Sequence, residues 1–441
     1  MKRFKLSIAN NRRGVWLSAL EIDLIKILLN NRFLTTKQII YFLVQCGNNF
    51  NENSIRNRLF KLESIGFIDS YEYVLGNDGF IFKYYQVTKK CVDCLVEEGL
   101  ILDSFSSYKA ISMGANSITK YIEHTFSINE IVIRTLVTNR LENDDGTLGY
   151  KVESLSPHKY VYWDNKNPSS RLIVPDWIFK KENRFVNVEV DSGSEDIKEL
   201  ELKVLAYIKL LDQRPNENHT VLIALMDDSI PTRSYRMNRN KRISNIRDSL
   251  NKLDKLRRSH LEVYVVQLER AHRLVDQLLY DSDSIKYDKS YLKNEIKKIV
   301  EAVSQNDHFH FDFRLWGGSD EYIDKLNHHL SPDGIVEVVE PRTGQSEKWV
   351  LLMMREGHNM SLEKLSFLHK QMVTGSYPFL VDRLLCIYET PGELSSDNIG
   401  KTFKGVLFSD YKNLDTFFEE PKFYKSTSPF RKGVVDIDFN E

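Results

Sequence analysis

The sequence has few cysteines, no excess of glycine or proline, and no long apolar run. Its 441 residues include four cysteines, too few to staple a chain of this size, so we expect reduced thiols. The longest apolar stretches, 221–226 and 349–354, fall far short of the roughly 18 residues that a membrane span needs. No apolar segment with a cleavage site follows Met1. We therefore expect a cytoplasmic protein with no membrane partner.

The chain also lacks an excess of charge of either sign. Its 61 basic and 62 acidic residues leave a net charge of −1, so any affinity for nucleic acid must come from local patches. The composition, 41% hydrophobic and 28% charged, is typical of globular proteins and excludes the disordered and fibrous classes. A chain this long exceeds one hydrophobic core and predicts several domains.

The N-terminal region has the pattern of a winged helix. Residues 17–30 place leucines and isoleucines at helical spacing. A second helix follows Thr35 or Thr36 as its cap, and a third begins within 51–53 and ends before Gly66. Two alternating segments around a Gly-Asn-Asp-Gly turn then predict a hairpin, the wing.

Basic side chains of this region are candidates for contact with double-stranded DNA. Three lie on the third helix, where a recognition helix meets bases and phosphates, and one lies on the wing. They are Arg56, Arg58, Lys61 and Lys83. The alternative is a protein–protein module with a solvated basic face.

A second hairpin is predicted over residues 171–191. Its strands alternate between apolar and polar residues on either side of a short polar turn. With a two-residue turn, Lys181 pairs with Arg184, and counting outward places Asp176 opposite Glu189. One face is then apolar, and the other face carries acidic side chains.

The acidic face is the candidate catalytic and metal site. Asp176, Glu189 and Asp191 would repel one another unless a cation lay among them, and their hard oxygen ligands suit Mg²⁺ or Mn²⁺. Such an ion can support phosphodiester cleavage. On the helix that follows, Lys203 could reach a scissile phosphate, with Tyr207 one turn further on. The alternative is a solvated strand edge with a surface lysine.

The stretch from Arg233 to Arg258 holds ten basic residues against two acidic ones, the most basic part of the chain. Its first half is typical of a loop that tracks a phosphate backbone and offers one ring for stacking. The residues concerned are Arg233, Arg236, Arg239, Lys241, Arg242 and the ring of Tyr235. A solvated helix explains the second half equally well.

The hairpin motif resembles the PD-(D/E)xK nuclease signature. Pro175-Asp176 is followed by Glu189-Val190-Asp191, with Asp191 where the signature has a lysine. The resemblance implies a metal at the acidic cluster, with Lys203 replacing the missing lysine.

A wider resemblance, over about residues 15–270, is to the replication-relaxation family, which includes MobC-type plasmid relaxases. It rests on the segment from His124 to Asn129, on Lys203 and on Tyr207, behind a winged helix. The resemblance implies nicking of plasmid or conjugative-element DNA at an origin, alongside other replication or transfer proteins. The alternative function is a noncatalytic DNA-binding accessory protein.

His124 and Glu130, on one predicted helix, are candidate auxiliary groups of that site, although a lone histidine on an amphipathic helix is commonly structural. Tyr207 and Tyr235 are candidate auxiliary tyrosines. None of these assignments follows from spacing alone.

The C-terminal part is expected to repeat the central one. Its order of strands and helices parallels the central order, but the corresponding strand offers Met353 and Arg355 in place of Glu189 and Asp191. We expect a degenerate nuclease-like repeat that serves DNA docking or homodimer contacts. The predicted class is mixed α/β (α+β), with a central restriction-endonuclease-like sheet. The predicted domains are a winged helix (1–112), a nuclease-like domain (113–275), a helical linker (276–305) and a C-terminal α/β domain (306–441).

Overall fold

The computed structural model describes most of the chain. The described residues are 3–8, 11–47, 51–75, 79–102, 122–142, 148–157, 160–231, 238–280, 289–306, 309–319, 322–323, 330–415 and 419–437. Helices and strands alternate through these residues, which confirms the expected mixed class. No helix in this part of the chain is both long and apolar enough to cross a bilayer.

The N-terminal region contains the predicted helices and hairpin in the predicted order. Its helices are α1 (Ala19–Asn31), α2 (Thr36–Cys46), α3 (Glu52–Ser64) and α4 (Lys89–Glu97). Its strands are β1 (Arg3–Ile8), β2 (Asn11–Ser18), β3 (Leu34–Thr35), β4 (Ile68–Val74) and β5 (Phe80–Val87). The hairpin β4–β5 joins β3 in the order β3-β5-β4, and the β1–β2 hairpin is an addition to the predicted elements.

Side-chain caps explain where these helices begin. Ser18 and Glu21 form a reciprocal capping box at α1, and Thr35 and Gln38 form another at α2. Asn51 caps α3. Thr35 is therefore the cap of the second helix, and the predicted start of the third is also found.

Helix α5 (Ile122–Thr138) joins the N-terminal region to the central sheet. Its Phe126 packs against Phe33, Tyr73, Phe82 and Tyr84 at ring-centroid distances of 5.2–5.6 Å. The N-terminal helices and one face of the central sheet consequently share one hydrophobic core.

The central sheet has the strand order β14-β13-β12-β11-β8. Pairs β8–β11 and β11–β12 are antiparallel, while β12–β13 and β13–β14 are parallel. The strands of this region are β6 (Arg140–Glu142), β7 (Leu148–Tyr150), β8 (Glu153–Leu155), β9 (Tyr162–Asp164), β10 (Asn167–Ile173), β11 (Trp177–Lys181), β12 (Arg184–Asp191), β13 (Asn218–Leu225) and β14 (Glu262–Gln267). The helices are α6 (Ile197–Gln213), α7 (Arg239–Leu250), α8 (Asp254–Arg258) and α9 (Leu268–Tyr280).

The β11–β12 hairpin has the predicted register. Lys181 pairs with Arg184 across the turn, and Trp177 pairs with Val188 at the other end. The next residues outward, Asp176 and Glu189, are therefore opposite each other. Alternation buries one set of side chains against α5 and α9 and the other against α6, α7 and α8.

The C-terminal sheet has the order β15-β16-β17-β18-β19-β20-β21. Its strands are β15 (Asp312–Leu315), β16 (Gly334–Val339), β17 (Ser346–Met353), β18 (Arg383–Tyr388), β19 (Val406–Asp410), β20 (Phe423–Ser428) and β21 (Arg431–Val435). Its helices are α10 (Lys289–Ser304), α11 (Asn359–Val373), α12 (Pro391–Ser396) and α13 (Tyr411–Leu414). Along β15 to β19 the pairing is antiparallel, antiparallel, parallel and parallel, as in the central sheet.

The segment predicted as a linker, 276–305, is divided between the two sheets. Residues of α9, including Leu278 and Leu279, belong to the core shared with the N-terminal region. Residues of α10, including Ile296 and Ile299, pack on the C-terminal sheet. Residues 281–288 lie outside the described part of the chain.

The two sheets are joined through buried contacts. The Arg247 guanidinium of α7 lies 2.7 Å from the Asp397 carboxylate, and neither side chain is exposed to solvent. Val265 of β14 donates a 2.9 Å hydrogen bond to the Gly357 carbonyl. Gly357 has a φ of +70°, and a Cβ there would lie 2.7 Å from the Val265 carbonyl oxygen, so glycine is required for this close approach.

Candidate functional site

Asp176 is fixed at the start of β11. Its Oδ2 accepts a 2.8 Å hydrogen bond from the backbone N–H of Val190 on the neighbouring strand. This bond extends the hairpin contacts beyond the last paired residue. Asp176 is thereby held next to Glu189, as the register predicts.

Glu189 is almost fully buried and has partners on α6. Its carboxylate accepts a 2.6 Å hydrogen bond from the Tyr207 hydroxyl and a 3.1 Å hydrogen bond from Lys203 Nζ. Lys203 and Tyr207 are four residues apart and so lie on the same helix face. Burial and the charge of Asp176 nevertheless raise the pKa of Glu189 to about 7.

His124 lies against Asp176 from the opposite side of the sheet. Its Nε2 is 3.1 Å from Asp176 Oδ2 and 3.0 Å from the Val190 carbonyl oxygen. Burial opposes charge on both side chains, but their mutual hydrogen bond and attraction raise the pKa of His124 and lower that of Asp176. The contact with Asp176 therefore makes a proton on His124 harder to remove.

Lys203 is shared between two carboxylates. Its Nζ is 3.1 Å from Glu189 and 3.2 Å from Glu195. Burial opposes its charge, yet the surrounding carboxylates raise its pKa above the ordinary value. Glu195 is an addition to the predicted site, and its position shortly after β12 is the signal in the sequence that could have identified it.

Asp191 is separated from the other two predicted metal ligands by its partners. It forms a two-point ion pair with Arg242 of α7, at 2.9 and 3.2 Å, and accepts a 2.8 Å hydrogen bond from Gly193 N–H. Arg242 is thus tied to the acidic strand. In the described residues no group of three or more His, Cys, Asp or Glu side chains has an arrangement that could hold a metal ion.

A cleft of about 830 Å³ opens beside Asp176. Its wall combines the end of α1, the first turns of α5 and the loop after β12. The lining includes Arg32, His124, Asp176 and Glu195. The N-terminal region therefore forms part of the same cleft as the acidic hairpin.

Other predicted site residues lie apart from this cleft or cannot be placed. Glu130 pairs with Arg134 at 2.7 Å and accepts a hydrogen bond from Gln38. Tyr207 is fully buried behind Glu189. Arg233, Tyr235 and Arg236 lie outside the described residues.

The predicted DNA contacts of the N-terminal region differ in accessibility. Lys61 is exposed, and Arg56 is exposed beside Glu52 at 2.6 Å. Arg58 instead bonds to Glu21 and to the backbone carbonyl of Trp16, which makes it a tie between α3 and the start of α1. Lys83 is partly buried, and its backbone carbonyl accepts a hydrogen bond from Thr36.

The basic stretch is likewise divided. Lys241 is exposed at the start of α7, while Arg239 pairs with Asp228 at 2.6 Å. Arg242 and Arg247 are engaged within the protein, as described above. The exposed charge available to a polyanion is therefore smaller than the count in the sequence indicates.

Part of the chain is similar to a known protein family. Residues 25–225 match the replication-relaxation family. The match runs from within α1 to the end of β13, so it includes the N-terminal helices, the acidic hairpin and α6. It supports the resemblance to the replication-relaxation family. No curated protein and no solved structure shows a significant match to the chain.

Proposed function

We propose that the protein cleaves a DNA phosphodiester bond in a metal-dependent reaction at the cleft beside Asp176. The observation that carries the proposal is the juxtaposition of Asp176 and Glu189 at the end of a buried hairpin, with Lys203 in contact with Glu189. Buried like charges are costly, and such arrangements concentrate at functional sites. Within the replication-relaxation family context, the substrate is double-stranded plasmid or conjugative-element DNA near an origin.

The residues present suit one hard divalent cation, Mg²⁺ or Mn²⁺. Asp176 and Glu189 would hold it, because their oxygens are the ligands such ions prefer and because burial and repulsion from Asp176 raise the pKa of Glu189, a repulsion that a cation between them would relieve. Asp191 is left out of this set because it pairs with Arg242. When bound, the ion would neutralise phosphate charge and make a coordinated water more acidic.

The protein's own groups have separate roles in this proposal. Tyr207 orients Glu189 through its hydroxyl, and Lys203 adds positive charge next to that carboxylate. When protonated at Nε2, His124 could give that proton to a leaving oxygen at the cleft. Helix α3, with exposed Lys61, would grip the duplex in the manner of a winged helix.

The C-terminal sheet has the role of a degenerate nuclease-like repeat in the same proposal. It would support DNA docking or contacts between two copies of the chain. Other replication or transfer proteins would bring the protein to its origin.

A second function is favoured by the internal neutralisation of the site. Arg242 compensates Asp191, and Glu195 shares Lys203 with Glu189, so several charges are already paired without a ligand. This pairing fits a noncatalytic DNA-binding accessory protein of replication or transfer that retains the fold as a scaffold.

Plasmid nicking separates the two functions. Supercoiled plasmid carrying the host element's origin is incubated with protein and Mg²⁺, Mn²⁺ or EDTA, and open circles are measured on agarose. We expect metal-dependent nicking that Asp176→Asn and Glu189→Gln each abolish while DNA affinity is unchanged. Tight binding of the origin without nicking in any metal would contradict cleavage and favour the accessory protein.

A further inference from the structure

Arg32 occupies an unusual backbone conformation at the end of α1. Its φ is 68° and its ψ is −49°, and the N–H of Phe33 donates a 2.8 Å hydrogen bond to the Asn31 carbonyl across it. These values describe a γ-turn with positive φ, which is rare and strained for a residue with a side chain. Such conformations cost free energy and cluster at functional sites.

Contacts with α5 hold this γ-turn in place. Asn129 Nδ2 donates hydrogen bonds to the carbonyls of Phe33, at 2.5 Å, and Asn31, at 3.4 Å. The ring of Phe33 also packs on Phe126 of the same helix. Because α5 carries His124 little more than one turn earlier, the position of Arg32 is fixed relative to the acidic site.

The side chain of Arg32 has an electrostatic setting that suits a phosphate. It is exposed and lines the cleft together with Asp176 and His124. Among the described residues that line this cleft, it is the one arginine or lysine, set against the acidic Glu123, Asp176, Glu195 and Glu199. A polyanion entering the cleft needs such a cation to offset repulsion from these carboxylates.

We infer that Arg32 binds a backbone phosphate of the DNA at the cleft beside Asp176, so that the N-terminal region completes the site rather than only tethering the duplex. A guanidinium fork matches two phosphate oxygens, which a single ammonium does not. The inference rests on the proposed function, because it names how the same cleft takes its substrate.

A purely structural role for Arg32 predicts a different residue. Glycine adopts positive φ without strain and is the usual solution at the end of a helix. The backbone bonds of the γ-turn come from its neighbours Asn31 and Phe33, and glycine at position 32 would leave them intact. The backbone bonds of the γ-turn therefore do not by themselves explain why position 32 carries a side chain.

Arg32→Gly tests the inference because it removes the side chain and relieves the strain together. We expect a thermal midpoint that is unchanged or raised by roughly 1–2 °C. We also expect nicking of supercoiled plasmid to fall at least about 100-fold. Arg32→Asn, which also tolerates positive φ, should behave alike, and Arg32→Lys should recover part of the rate. Arg342→Gly, an exposed arginine in the turn between β16 and β17, is the control for loss of one charge.

A second measurement keeps the inference testable if the wild type does not nick DNA. Affinity for an origin duplex is measured by fluorescence anisotropy over a range of salt concentrations. Loss of one phosphate contact should reduce the slope of log Kd against log salt by about one in Arg32→Gly, with no change in Arg342→Gly. Absence of nicking in the wild type would overturn the proposed cleavage alone. Wild-type nicking in folded Arg32→Gly, or an unchanged salt slope, would overturn the role of Arg32.

Discussion

The central and C-terminal sheets share a strand order and one detailed contact. In the central sheet, Asp176 precedes β11 and accepts a 2.8 Å hydrogen bond from Val190 N–H of β12. In the C-terminal sheet, Asp333 precedes β16 and accepts a 2.8 Å hydrogen bond from Met353 N–H of β17. The aspartate can therefore serve the same backbone-fixing role in either sheet, whether or not chemistry takes place beside it.

The neighbours of the two aspartates differ. Glu189 faces Asp176, whereas the pairing of Gly334 with Leu351 places Leu352 opposite Asp333. Lys203 contacts Glu189 at 3.1 Å, but Lys364 contacts Asp333 itself at 2.6 Å. Asp333 has a lysine to itself, whereas in the central sheet Glu189 shares Lys203 with Glu195. A cation at the central pair would therefore compensate charge that Lys203 alone does not. The second carboxylate, rather than the strand order, therefore distinguishes the two sites.

Neutralising each aspartate separately tests whether the two sites differ in function. We expect Asp176→Asn to reduce metal-dependent plasmid nicking at least about 1,000-fold, since it removes a proposed ligand of the ion. Asp333→Asn should nick at the wild-type rate. A large loss in Asp333→Asn, with its DNA affinity and thermal stability unchanged, would place chemistry in the C-terminal sheet as well.

The junction between the sheets is the next feature to test. Arg247→Met leaves the buried Asp397 carboxylate without its partner at 2.7 Å, and we expect a loss of about 3–5 kcal/mol in the free energy of unfolding. Lys401→Met is the control, because its 2.8 Å pair with Asp248 spans the same junction at the surface. That variant should change stability by less than about 1 kcal/mol in urea unfolding. Equal losses would show that the buried pair has no special role.

Leu352→Glu would introduce a second carboxylate opposite Asp333 in the C-terminal sheet. Leu352 is almost fully buried, so we expect the variant to lose about 2–4 kcal/mol at neutral pH without metal. Leu352→Met, which conserves volume, should lose less than about 1.5 kcal/mol. Partial recovery of Leu352→Glu stability on addition of Mn²⁺ would show that a second carboxylate lets this site bind a cation. An undiminished stability without metal would show that a buried carboxylate here has no cost.

How far the sequence predicts this arrangement depends on the distance between partners along the chain. The turn of two residues between Lys181 and Arg184 sets the register that brings Asp176 and Glu189 together, so this part of the site was predictable. Lys203 and Tyr207 were also predictable as a pair, because residues four apart lie on the same face of a helix. The caps Thr35 and Asn51 are also local signals.

Partners remote in sequence could not be predicted in this way. Arg242 lies 51 residues from Asp191, and no local pattern indicates that an arginine of the basic stretch would reach that carboxylate. Arg58 similarly binds Glu21, 37 residues away, instead of facing solvent. The conformation of Arg32 depends on packing against α5, which a helix-ending pattern does not reveal.

The buried carboxyl group of Glu189 should make the stability of the protein depend on pH. Leu352, at the corresponding position of the C-terminal sheet, has no group that titrates. The pKa of Glu189 rises from 4.5 to about 7 on folding, so its protonated form stabilises the protein below pH 4.5, and that contribution is lost as the pH rises through about 7. As the pH rises from 4.5 to about 7 without metal, wild type should lose this contribution and Glu189→Gln should not. The unfolding free energy of Glu189→Gln minus that of wild type should therefore rise by roughly 1–3 kcal/mol. Urea unfolding at a series of pH values measures it. If the difference between the two proteins does not change with pH, folding does not shift the pKa of Glu189.

Asp176 and Glu189 are proposed to hold a divalent cation, and the C-terminal Asp333 is not. Isothermal titration calorimetry of Mn²⁺ into the full chain at neutral pH tests this claim without requiring DNA or turnover. We predict one binding event in the wild type that is lost in Asp176→Asn and in Glu189→Gln and preserved in Asp333→Asn. Undiminished Mn²⁺ binding in both Asp176→Asn and Glu189→Gln, or loss of binding in Asp333→Asn, would contradict the claim.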